Sequence, residues 1–307
     1  MNRSKHVTLH QKMRIHDHTF GFLLIVPAIV VMLCVIAVPV GRGIWISFCE
    51  NKIANINAPY WNNFANYEAI FEDGEIFTYF SNTLRFVGCT VSLVLILGMS
   101  IAMLLNTKIV GRKVFRGLVI IPWTIPSVVV ALVWRWMFQP QYGVLNYILY
   151  NLGLLNTINT SWTMSAFHAN LIIIMACAWK QLPYMTVMML AGLQSTSSDL
   201  KEAALIDGAN KRQVFWHVVL PGIRTVMVTC VWLSVTQNFQ QFAIINNITG
   251  GGPVYATTTL SVAAQTLAFK NYNFGRAAAV GVIWILFLFV VTVIVNKTND
   301  RFAQDVE

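Results

Sequence analysis

The residues best equipped for chemistry in this chain are polar groups set inside long apolar runs. Lys180 lies near the middle of one run, with Cys177, Gln181 and Tyr184 beside it at helical spacing. In another run Ser234, Gln237, Asn238 and Gln241 fall at i, i+3, i+4 and i+7, one face of a helix. Carboxamides both donate and accept hydrogen bonds, so this face suits a hydroxyl-rich solute. The same groups suit amide bonds between neighbouring helices. The Lys180 ammonium could pair with an acidic group of a solute or of a partner, because no Asp or Glu falls within an apolar run. A lysine snorkelling along a water-filled seam is the alternative.

A second constellation lies between the apolar runs, from Ser197 to Ile223. Asp199 followed by Glu202 reads as an N-terminal cap, and Gly208 stands where the helix it opens would stop. Asn210 with Gln213 offers a second cap, and a second short helix should run to about Leu220, ended by Pro221. Leu200, Ala203, Ala204, Val214, Phe215 and Val218 make this loop more apolar than solvation requires. Such a helix–glycine–helix knuckle should dock onto another protein.

These residues depend on elements that composition describes well. Of the 307 residues 56% are hydrophobic and 11% charged, against roughly 25% charged in a soluble domain. Six apolar runs are long enough to cross a bilayer as helices: about 20–48, 79–105, 118–138 with Pro122 and Pro126, 165–193 with Pro183, 223–245, and 277–295. The first run is too long for a signal peptide and reads as a retained helix. The segment 142–158 has a helical period and should lie on the outer surface. Strand signals and internal repeats are absent.

The net charge of +9 is spread through short connecting segments rather than gathered on a nucleic-acid-binding face. Lys and Arg concentrate in the N-terminus, the C-terminus and the loops after runs 2 and 4. Both termini and those two loops are therefore expected in the cytoplasm. The intervening loops are expected outside, the Gly250–Gly252 run among them. The expected organisation is a leader at 1–18, a membrane domain at 19–296 with the loop at about 197–222, and a tail at 297–307.

Glu202-Ala203-Ala204, Gly208 six residues after Glu202, then Val218, Leu220 and Pro221, resemble the EAA loop of permease subunits of binding-protein-dependent ABC importers. The family usually has Ile at the position of Val218, and commonly Ile-Pro where this chain has Ser197-Ser198. The stretches Trp179–Gln194 and Ser234–Pro253, with Asn66-Tyr67 and Asn82-Thr83, resemble its sugar branch, of the maltose and glycerol-3-phosphate type. The resemblance implies an all-α, six-helix permease of the type I importer fold in a bacterial or archaeal plasma membrane. It implies a carbohydrate cargo (an oligosaccharide, or an acidic or phosphorylated sugar) moved by alternating access. It also implies that Glu202, Ala203, Ala204, Asp207, Gly208, Leu220 and Pro221 meet the ATPase, and that Lys180, Gln181, Tyr184, Ser234, Gln237, Asn238 and Gln241 line the solute path. The implied partners are a second, different permease chain, two ATPase subunits and an extracellular or periplasmic solute-binding protein.

Gly250–Gly252 is no phosphate loop, since no G-x-x-x-x-G-K-[ST] occurs. ATP is therefore expected on partner subunits, and the chain itself is read as non-enzymatic. No metal is expected either: His6, His10, His16 and His18 lack Cys or acidic neighbours, and Cys34, Cys49, Cys89, Cys177 and Cys230 are widely spaced. A secondary transporter or channel for a small polar solute is the competing reading. It would call for inverted repeats or broken helices in matching halves, and for intramembrane carboxylates.

Overall fold

The computed structural model describes residues 21–22, 24–107 and 110–304, with side chains as far as Lys297. The leader at 1–18, its four histidines included, lies outside these residues.

The described chain begins with α1 (Leu24–Ser47). A short hairpin of β1 (Cys49–Glu50) and β2 (Tyr60–Trp61) follows, paired Cys49 to Trp61 and Glu50 to Tyr60, where no strand was expected. Helix α2 (Ala65–Glu72) leads into α3 (Glu75–Asn106). Next come α4 (Arg112–Thr124), α5 (Ser127–Met137), α6 (Val144–Asn151) and α7 (Ala166–Ser195). The loop of interest forms α8 (Ser198–Ile206) and α9 (Lys211–Gly222). Last are α10 (Arg224–Phe239), α11 (Ala243–Ile248), α12 (Leu260–Phe269) and α13 (Phe274–Gln304).

Four helices, α1, α3, α7 and α13, are long and apolar enough to span a membrane, and the bent pairs α4–α5 and α9–α10 bring the number to as many as six. The six expected runs are thus present, but the third and fifth are not single rods. In the third, Pro126 lacks an N–H and pushes Ile125 to extended geometry (φ −77°, ψ 130°), so the chain turns by 95° between α4 and α5. In the fifth, α10 stops at Phe239 and the chain re-enters helix only at Ala243. Pro183, by contrast, is absorbed within α7. The sixth run continues as α13 to Gln304, into the stretch read as a tail.

The centre of the fold is the pairing of α3 with α7. A Cβ at Gly98 would come within 2.7 Å of Met185 Cγ, so this glycine lets the two helices approach closely. Val94, Met99, Ala102, Met185 and Met189 fill one half of the core. Phe86, Val130, Ile172, Phe239 and Ile245 fill the other, and a smaller third cluster gathers Ile70, Ile76, Leu260, Ala279 and Val280. Helix α1 contributes no buried residue from its most apolar stretch, yet packs on α13. Its far end is tied down by Asn66, which donates to the carbonyls of Ser47 and Cys49 at 2.9 and 2.8 Å. Tyr67 adds a hydroxyl contact to Ser47 at 2.7 Å.

The segment 249–259 is more than a surface turn: Gly251, Thr257, Thr258 and Thr259 are buried. Asn82 donates to the carbonyls of Tyr255 and Thr258 at 2.8 and 3.2 Å, Asn170 donates to that of Ala256 at 3.1 Å, and Thr83 accepts from the Leu260 N–H at 2.9 Å. Gly251 has φ +94°, and a Cβ there would meet Thr258 Oγ1 at 2.6 Å. The loop and α12, which the hydropathy reading missed because ten residues are too few for a span, form a plug seated between α3, α7 and α13.

Asn82→Ala strands the carbonyls of Tyr255 and Thr258. It should lower stability by about 1–3 kcal/mol, read as a fall in melting temperature and faster proteolysis within 249–259. Unchanged melting and proteolysis would show that the plug does not depend on Asn82.

Candidate functional site

The knuckle between α7 and α10 is built almost wholly from local backbone chemistry. Ser197, not Asp199, is the N-cap of α8: its Oγ accepts from the Asp199 N–H at 3.1 Å. Asp199 instead sits in the first turn, where a carboxylate complements the helix dipole. At the other end the Gly208 N–H bonds to Leu205 O at 3.1 Å and the Ala209 N–H to Ala204 O at 3.0 Å, a Schellman closure. Gly208 carries φ +87°, and a Cβ there would meet open space, so conformation rather than room requires glycine.

The second cap is as expected. Asn210 Oδ1 accepts from the N–H groups of Arg212 and Gln213 at 3.0 Å each, and Gln213 Oε1 accepts from the Asn210 N–H at 2.8 Å. Pro221 does not end α9. The helix widens into a π turn at Phe215–Val219, carries Pro221 within it and bends by 68° at Ile223. Lys201 ties the knuckle to the bundle by donating to the carbonyls of Leu193 and Thr196 at 3.4 and 3.2 Å, at the C-terminal end of α7.

The apolar residues of the knuckle divide into two sets. Ala204, Val214, Phe215, Val218 and Leu220 pack against the chain's own core. Leu200 and Ala203 remain exposed, and sequence reasoning overlooked three more exposed apolar side chains: Leu205, Trp216 and, at 86% exposure, Ile206. Glu202, Asp207 and Pro221 are exposed as well. Beside this face is a depression lined by Asp207, Gly208, Gln213 and His217.

The polar groups within the span are less free than their spacing suggested. Lys180 Nζ donates to the carbonyl of Ile125 at 2.6 Å and lies 3.5 Å from that of Trp123. It thus serves the oxygens exposed by the 95° break, a partner that a search for carboxylates could not find. Gln181 and Asn238 exchange two amide hydrogen bonds of 2.9 Å between α7 and α10. Ser234 donates to Gln181 Oε1 at 3.1 Å, and Asn238 also donates to Ser234 O at 2.8 Å. Ser234 and Asn238 are 3% and 1% exposed, so they hold helices together and present little to a solute. Gln237 is exposed and Tyr184 half-buried, its ring 5.9 Å from that of Trp123. Gln241 lies off the helix, in the break after α10, where its carbonyl accepts from Ser261 at 2.9 Å.

A family profile described as "Binding-protein-dependent transport system inner membrane component" matches residues 94–304. The chain belongs to this family. The match takes in the knuckle, both bent pairs and the plug. Along 97% of its length the chain is 35% identical to the trehalose/maltose transport system permease protein MalF of Thermococcus litoralis, covering 99% of that protein. It is 32% identical to the sulfoquinovosyl glycerol transport system permease protein SmoG of Agrobacterium fabrum, over 86% of this chain and 85% of that one. Among solved structures, a bacterial alginate ABC transporter in complex with an alginate pentasaccharide-bound periplasmic protein contains a chain of the same fold. Its TM-score is 0.79 at 20% identity, covering 94% of this chain and 96% of that one. The family expected from the EAA-like loop is therefore the family found.

Gln181→Ala and Asn238→Ala should each destabilise the chain, with a coupling of about 0.6–1.7 kcal/mol in a double-mutant cycle. Simple additivity would show that the two amides are not partners. Gly208→Ala forces a left-handed non-glycine residue at about 1–2 kcal/mol, and amide exchange of Leu205–Asn210 should quicken while that of α7 is unchanged.

Proposed function

We propose that this chain is a permease subunit of an ATP-driven importer that carries a carbohydrate into the cytoplasm by alternating access. The observation that carries the proposal is the knuckle: a rigidly capped helix pair that leaves Leu200, Leu205 and Ile206 uncovered beside Gly208. A soluble partner with a matching groove would bury them, and Lys201 and the Schellman closure would transmit its movement to α7 and α10. That partner is a pair of ATPase subunits, which bind the ATP. A second, different permease chain would cover the uncovered face of α1, and a periplasmic or extracellular binding protein would deliver the solute. The names of the similar permeases support a sugar or an acidic sugar derivative as cargo. The distribution of Lys and Arg supports a cytoplasmic position for both termini.

Within the solute path, Gln237 and Tyr184 have side chains left over for hydroxyl groups, with Gln241 beside them at the break. Gln181, Ser234 and Asn238 hold the wall behind them, and Lys180 keeps the break in shape. In the assembled importer, Ile206→Asp should leave the chain folded and inserted while cutting solute-stimulated ATP hydrolysis by the equivalent of about 2 kcal/mol. Stimulation equal to that of the native chain would remove the knuckle as the docking element. Gln237→Ala should raise the half-saturating solute concentration in transport without altering the melting temperature.

A further inference from the structure

Among the described residues the ion pairs are Lys52 with Glu50 and Arg276 with Asp73, both at 2.9 Å. Two arginines at the start of α4 have no such partner and converge instead on one amide. With its carboxamide oxygen turned toward them, Gln194 accepts from Arg116 Nη2 at 2.7 Å and from Arg112 Nη2 at 3.1 Å. The Nε of Arg116 is buried and bonded to nothing. A neutral oxygen shared by two guanidinium groups leaves most of their donors and both charges unanswered. Arg116 and Gln194 line a cavity of about 240 Å³ whose walls include Val119, Ile120, Val187 and Leu190. The other side of α4 exposes Val114, Phe115, Leu118 and Ile121, a surface that belongs in hydrocarbon.

We propose that this cavity holds the phosphate of an anionic phospholipid of the inner leaflet. Arg116, in the cavity wall, takes the phosphate in the bidentate manner its geometry favours, Arg112 adds its charge from the far side of the Gln194 amide, and an acyl chain follows the Val119, Val187 and Leu190 wall. A basic pocket between spanning helices at the cytoplasmic side is the setting in which such headgroups bind. Gln194 lies at the end of α7, three residues before the Ser197 cap of α8. An occupied site therefore braces the joint between the bundle and the knuckle.

The test uses the purified full-length chain, with any subunits that copurify, in nanodiscs of phosphatidylcholine containing a minor share of phosphatidylglycerol. Lipid retained after detergent extraction is counted by mass spectrometry. The native chain should retain phosphatidylglycerol in preference to phosphatidylcholine. Retention should weaken about fivefold for each arginine lost and roughly thirtyfold in Arg112→Gln/Arg116→Gln. Arg112→Lys/Arg116→Lys keeps both charges without the bidentate forks and should retain an intermediate amount, above that of the double-glutamine chain, which separates lost charge from lost folding. Equal retention by the native and double-glutamine chains would overturn the proposal. So would displacement of phosphatidylglycerol by millimolar inorganic phosphate, which would make the site one for a free anion.

Discussion

A backbone polar group inside a bilayer has no water to turn to. In this chain that constraint bears hardest on the places where helices are broken. The carbonyls of Trp123 and Ile125 are exposed by the bend between α4 and α5, and Lys180 serves them from α7. The carbonyls of Tyr255, Ala256 and Thr258 lie in a buried loop, and Asn82 and Asn170 serve them from α3 and α7. Asn82 and Thr83 on α3, and Asn170, Lys180 and Gln181 on α7, all have backbone or amide partners on other elements, and the α3–α7 pair is the frame from which the broken elements hang.

This arrangement has a functional corollary. An unbroken helix offers a solute only side chains, whereas a broken one can move as two segments about a joint. Here the joints occur between α4 and α5, between α9 and α10, and after Phe239. The first is held by Lys180 and the last by the Gln241 carbonyl with Ser261, while the joint at Ile223 is buried in the apolar core. Hydrogen bonds of this kind are short-range and re-formable, so they would suit the alternating access proposed above. The knuckle stands at one end of the same frame and carries its own caps, so it can move as a unit without unwinding.

Much of this was legible in the sequence and some of it was not, for physical reasons. Apolar length located the spanning runs, because it reports directly on the membrane. The caps at Asn210 and Gly208 were legible because they are local, each completed within a few residues. Hydropathy was blind to the break at Pro126, since a bent pair of helices is as apolar as a straight one. Proline alone was ambiguous as well, because Pro183 and Pro221 lie within helices. Residue spacing correctly put Ser234 and Asn238 on one face but could not say whether that face met a cavity or a neighbouring helix. The carbonyl partners of Lys180 lie more than fifty residues away in sequence, and backbone oxygens leave no trace in side-chain patterns.

The central claim is that polar side chains in the span serve the broken backbone before they serve the solute. Lys180→Met tests it most directly, with the assembled importer's melting temperature and half-saturating solute concentration measured together, alongside amide exchange around the α4–α5 break. The account gives a lower melting temperature and faster exchange at Thr124, Ile125 and Ser127, with the half-saturating concentration little changed. An unaltered melting temperature and unaltered exchange, with a half-saturating concentration raised tenfold or more (about 1.4 kcal/mol or above), would contradict it and make Lys180 a solute ligand.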